Sequence, residues 1–81
     1  MEIKIMKKFY FTFGSNHIDV LGNSLGNFYV IVQAENYADA RTKMIMVRGP
    51  KWSFVYSEDE FGDQAERFDL SERSLEDVAL F

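Results

Sequence analysis

Eighty-one residues, 47% of them hydrophobic and 16% aromatic, suffice for one domain around one core and exclude a disordered chain or two separate domains. No cysteine is present, which excludes a disulfide framework and thiolate metal sites and leaves packing to supply the stability. Of the net charge of −4, residues 1–56 hold seven Lys/Arg against four Asp/Glu and residues 57–81 two against nine, so the last third repels nucleic-acid phosphates and suits a basic protein surface.

The chain opens on Met1–Lys8, which lacks the apolar core of a signal peptide, and no apolar run approaches the roughly 18 residues of a membrane span. A soluble, cytoplasmic protein is expected. Phe9, Phe11 and Phe13 alternate with Tyr10 and Thr12, the period of a strand with one buried face. Ile3 and Ile5 share that parity, so the strand starts either there or at Met6-Lys7-Lys8 behind an extension of residues 1–5. Phe28, Val30, Val32 and Ala34 repeat the pattern, which predicts an antiparallel hairpin with a long polar connection at residues 14–27. Hairpin connections commonly take about two to five residues, so one this long is either floppy or reserved for binding.

Asn36 stands at a helix N-cap, and Tyr37, Ala40, Met44 and Val47 follow on one helical face, with Asp39 and Lys43 paired outside it. Gly49-Pro50 ends the helix. Trp52, Phe54 and Tyr56 alternate with Ser53 and Val55 as a third strand. Ser57–Glu60 reads as a capping box before a short helix presenting Phe61, Ala65 and Phe68, weakened by Gly62. Beyond it, Phe68 and Leu70 suit a short edge strand, and Ser74–Asp77 suits either a capped helical turn or entry into an extended tail. The fold class is therefore α+β: a single domain over 1–81, with a ββαβ core, one helix on a small antiparallel sheet, and a short acidic helix or strand after it. The sheet face opposite the helix would present Tyr10, Thr12, Tyr29, Ile31, Ser53 and Val55. It is too apolar to stay wet, and is covered either by the second helix or by a second subunit or partner.

Chemistry-bearing residues are few. Ser15, His17 and Asp19 are the residue types of a nucleophilic triad, but they crowd at alternate positions of one loop, where no rigid element orients base on nucleophile. No catalytic residue and no enzyme activity is expected. One His without Cys is too few for zinc, and neither an EF-hand nor a phosphate-binding glycine motif occurs, so neither metal nor cofactor is expected. The remaining ligand hypothesis joins the loop's Ser15 and His17 to Arg41 and Arg48 as a pocket for a nucleotide signal.

The strings Phe9–His17, Leu25–Val30, Ala40–Met44 and Lys51–Tyr56 resemble a family of short uncharacterised proteins encoded by bacteriophages and prophages, over residues 6 to about 72. The resemblance implies a viral accessory protein in the bacterial host cytoplasm, acting on a host protein, with inhibition of a defence system such as a CRISPR nuclease as one such role. It transfers no binding residue. From the charge split alone, Glu58, Asp59, Glu60, Asp63, Glu66 and Asp69 form the surface expected to meet a nucleic-acid-binding partner. The alternatives are the nucleotide binder and a homo-oligomeric phage assembly component, a homodimer being its simplest form.

Overall fold

The computed structural model describes residues 5–14 and 17–79. β1 (Lys7–Thr12), β2 (Phe28–Ala34), β3 (Phe54–Ser57) and β4 (Ser71–Arg73) form one sheet in the order β3-β1-β2-β4. β1 lies antiparallel to both β2 and β3, with Phe9 opposite Val32 and Tyr10 opposite Tyr56. β4 joins β2 in parallel, with Phe28 opposite Ser71, so the sheet is mixed rather than wholly antiparallel. Ile3 lies outside the described residues, and the strand begins at Lys7.

Helix α1 (Tyr37–Arg48) follows β2. The Asn36 side chain accepts the Asp39 N–H at 2.9 Å, satisfying one of the donors a helix leaves open at its start. Gly49, at φ 71°, ends it in a conformation that disfavours a side chain. The buried stripe is Ala40, Met44 and Arg48, four residues apart. It lies with Phe9, Phe11, Phe13, Leu25, Val30, Val32 and Ala34 in the main core. Lys43 does not serve an ion pair with Asp39: its Nζ donates to the Gln33 carbonyl at 2.6 Å, on the outer side of β2.

The third strand departs from strict alternation. Ser53 donates to the Thr12 carbonyl at 2.9 Å while Phe54 is the register partner of the same Thr12, so two residues face one, as in a β-bulge. The bulge switches parity. Trp52, edge-on to Phe11 at 5.2 Å, and Val55 both pack on the main core. Phe54 and Tyr56 turn to the opposite face, where the alternation from Trp52 had placed Ser53 and Val55.

β2 and β3 are mutually parallel, being both antiparallel to β1, and α1 carries the chain between them across one face. Residues 58–70 return across the other face from β3 to β4. The two crossings run in opposite directions on opposite faces and so share one hand, as crossovers between parallel strands do.

The return crossing holds α2 (Glu58–Phe61) and α3 (Gln64–Arg67) instead of one helix with a continuous apolar side. Gly62, at φ 53°, separates them, so Phe61 is 4% exposed and Phe68 62%. A last 3-10 turn, Glu76–Val78, is capped reciprocally: Ser74 Oγ accepts from Asp77 N and Asp77 Oδ2 accepts from Ser74 N, at 3.2 and 3.3 Å. No helix among the described residues is long and apolar enough to cross a membrane.

Candidate functional site

Residues 17–25 of the polar connection between β1 and β2 are built rather than floppy. Leu25 N–H reaches the His17 carbonyl at 2.9 Å, and Asp19 N–H reaches that of Asn23 at 2.9 Å, so residues 17–25 make a second, smaller hairpin on top of the first. Asp19 closes it. Its Oδ1 accepts the N–H groups of Leu21 and Asn23, each at 2.9 Å, and these bonds, the one from Asn23 foremost, hold the carboxyl below its ordinary pKa. Leu25 is buried in the core, while Val20 and Leu21 stand out at the tip.

Arg48 fastens this hairpin to the body. It is 2% exposed. Nη2 donates to the Ile18 carbonyl at 2.7 Å, Nη1 to that of Val78 at 2.9 Å, and Nε to that of Lys51 at 2.7 Å. The guanidinium also lies 5.3 Å from the centre of the Phe13 ring. Burial lowers its pKa and the charge of Asp19 opposes that shift, yet a guanidinium stays protonated. Carbonyls from the turn that follows α1 and from two segments thirty positions away on either side therefore share one cation.

This geometry disperses the nucleotide pocket expected from the loop. Ser15 lies outside the described residues. The His17 ring is half-buried edge-on to Phe13 at 6.2 Å. Arg41 is exposed, and the seven residues separating it from Arg48 span about 10.5 Å of helix. Arg48 faces inward, engaged with protein carbonyls.

The acidic residues are gathered. On the face crossed by residues 58–70, Phe61 stacks on Tyr10 at 4.4 Å with the rings 9° apart, and lies 5.1 Å from Tyr29 and 6.2 Å from Tyr56. This aromatic seat fixes the crossing to the sheet. Glu58 Oε2 accepts the Tyr10 hydroxyl at 3.3 Å. Burial first and Glu58 second raise the pKa of that hydroxyl. Glu60 is committed to the capping box: its carboxylate accepts the Ser57 N–H at 3.0 Å and the Tyr37 hydroxyl, while Ser57 Oγ accepts the Glu60 N–H.

Asp59, Asp63, Glu66 and Asp69 are exposed. Arg67 is the one basic residue of the crossing, 3.9 Å from Asp63. Asp69 holds φ 53° at the turn into β4, a conformation Asp tolerates better than most residues. A cavity of about 480 Å³ opens where this surface meets the start of β1, between Met6–Phe9 and Ser57–Asp59. Phe54 and Phe68, each 62% exposed, add apolar area to the same face. Both escaped sequence reasoning, because the bulge at Ser53 and the break at Gly62 reverse the parity that would bury them.

No protein family, curated protein or solved structure matches the chain.

Proposed function

We propose that the chain is a non-enzymatic binding module whose acidic crossing occupies a basic, nucleic-acid-binding surface of a host protein. The observation that supports this reading is the seating of residues 58–69: Phe61 is locked among three tyrosines, and five exposed carboxylates, those of Glu58, Asp59, Asp63, Glu66 and Asp69, stand on the outside of that anchor with one guanidinium among them. Rigid presentation of like charge lowers the ordering cost of binding and steers a basic partner. Exposed Phe68 supplies an apolar contact inside the charged rim, the arrangement that productive interfaces use. The resemblance to phage accessory proteins makes a bacterial defence nuclease, such as a CRISPR nuclease, the target class of this proposal.

Affinity capture from bacterial extract, followed by titration of the captured partner, tests it. Reversing Asp59, Asp63 and Glu66 together to Lys leaves the seat of Phe61 and the capping box in place. It is expected to reduce partner affinity by about a hundredfold or more, with a steep salt dependence in the native complex that the variant loses. Unchanged affinity in the folded variant removes the reading.

A further inference from the structure

We propose that the cavity between Met6–Phe9 and Ser57–Asp59 takes the free amino end of an extended peptide, which continues the lane of β3 along β1. The sheet leaves that lane open. Thr12 accepts the Ser53 N–H, so its polar backbone groups face β3, and by the alternation of a strand those of Tyr10 and Lys8 face the same way. β3 ends at Ser57, opposite Phe9, and the Glu58 carbonyl, the next acceptor in the lane, takes the Gly62 N–H at 3.1 Å instead. The Lys8 N–H therefore points past the end of the ladder into the space of the cavity, where it can donate to the carbonyl of an added strand.

The walls select the occupant and its direction. At about 480 Å³ the cavity has the size of a ligand site. Glu58 and Asp59 line it where the chain turns from β3 into α2, and Lys7 and Lys8 line it along β1. The Asp59, Lys7 and Lys8 side chains make no ion pair among the described residues, so opposite charges face one space without neutralising each other. Glu58 gives one oxygen to the Tyr10 hydroxyl and keeps the other. A strand added in the lane of β3, antiparallel to β1, has its first residue where Ser57 leaves the sheet, which sets its α-ammonium against the two carboxylates. The reverse direction sets a terminal carboxylate there, against like charge. Farther along the lane, Lys7 and Lys8 suit an acidic side chain early in the peptide. Buried Phe9 and exposed Met6 supply apolar contact. This inference is independent of which host protein the acidic crossing meets.

Titrating the isotope-labelled chain with the tetrapeptide Ala-Asp-Val-Ala, its carboxyl end amidated, and following the backbone amide resonances tests this. The expected result is binding at about 0.1–1 mM, with shifts confined to Met6–Phe9 and Ser57–Asp59 and slower exchange of the Lys8 N–H. Acetylating the peptide's amino group is expected to weaken binding by about tenfold or more, and Asp59→Asn by about fivefold. Asp63→Lys with Glu66→Lys, on the acidic crossing but outside the cavity, should leave the peptide's affinity within about twofold. No shift at about 10 mM peptide, equal binding of the acetylated peptide, or loss of binding in the Asp63→Lys, Glu66→Lys variant overturns the proposal. The last of these assigns the peptide to general attraction by the acidic surface.

Discussion

Arg48 illustrates how one side chain can read as a site and prove to be a joint. A cationic residue near the end of a helix suits the helix dipole or an anionic ligand, and nothing in its sequence neighbourhood announces burial. What buries it is tertiary: carbonyls from residues 18 and 78, each thirty positions away, converge on its guanidinium. Arg48→Met keeps much of the volume but strands three carbonyls and is expected to cost about 3 kcal/mol. Arg48→Lys recovers less than half of this, because an ammonium cannot fork to three acceptors. Urea unfolding of the three proteins measures both values. Asp19 acts at the same scale. Its carboxyl pKa is depressed in the folded state by the N–H bonds of Asn23 and Leu21, so its contribution is present above the unfolded value, about 3.9. That contribution is lost as pH falls through the lower, folded value. Urea midpoints measured from pH 7 to pH 2 should show a shallower acid decline in Asp19→Asn than in the native chain.

Phe61 and Gly62 set the behaviour of the elements around them. Phe61 is the buried member of a four-ring cluster, and Phe61→Ala is expected to destabilise by about 3–5 kcal/mol and to flatten the near-ultraviolet dichroism of the tyrosines. At Gly62 an added Cβ would meet only the Asp59 carbonyl, at 3.7 Å. Gly62→Ala should therefore cost about 2 kcal/mol through backbone strain alone, φ 53° with ψ −122° lying outside the left-handed helical region, with the cluster's spectrum intact. Comparing the two variants separates packing from backbone strain. The caps of α1 and α2, the stop at Gly49 and the pairing of β1 with β2 were legible because each is a local pattern of a few residues. The bulge at Ser53 was not, since strict alternation is the simplest reading of Trp52–Tyr56, and the interruption depends on Thr12 across the sheet. Nor was the parallel seat of Ser71–Arg73, three polar residues with no strand signal of their own. The acidic surface was readable as composition, whereas the aromatic seat beneath it required Tyr10, Tyr29 and Tyr56 to be brought together from three strands.

For the whole molecule, the two crossings convert a division of charge along the chain into a division in space. α1 occupies one face of the sheet, and the acidic segment the other. The face beneath α1 was legible in β1 and β2, but the covering of the second face was not, because it turned on a helix that Gly62 divides and on a strand whose parity the bulge inverts. The order β3-β1-β2-β4 also makes the end of the chain complete what its beginning leaves open. Residues up to β3 contain both neighbours of β1, whereas the outer neighbour of β2 and the Val78 carbonyl that occupies Arg48 Nη1 come from residues 71–78. Val78, itself fully buried, completes both the apolar core and the polar joint at its centre. A chain whose residues 71–78 have not docked therefore leaves Arg48 without one of its three carbonyls and β2 without its outer neighbour.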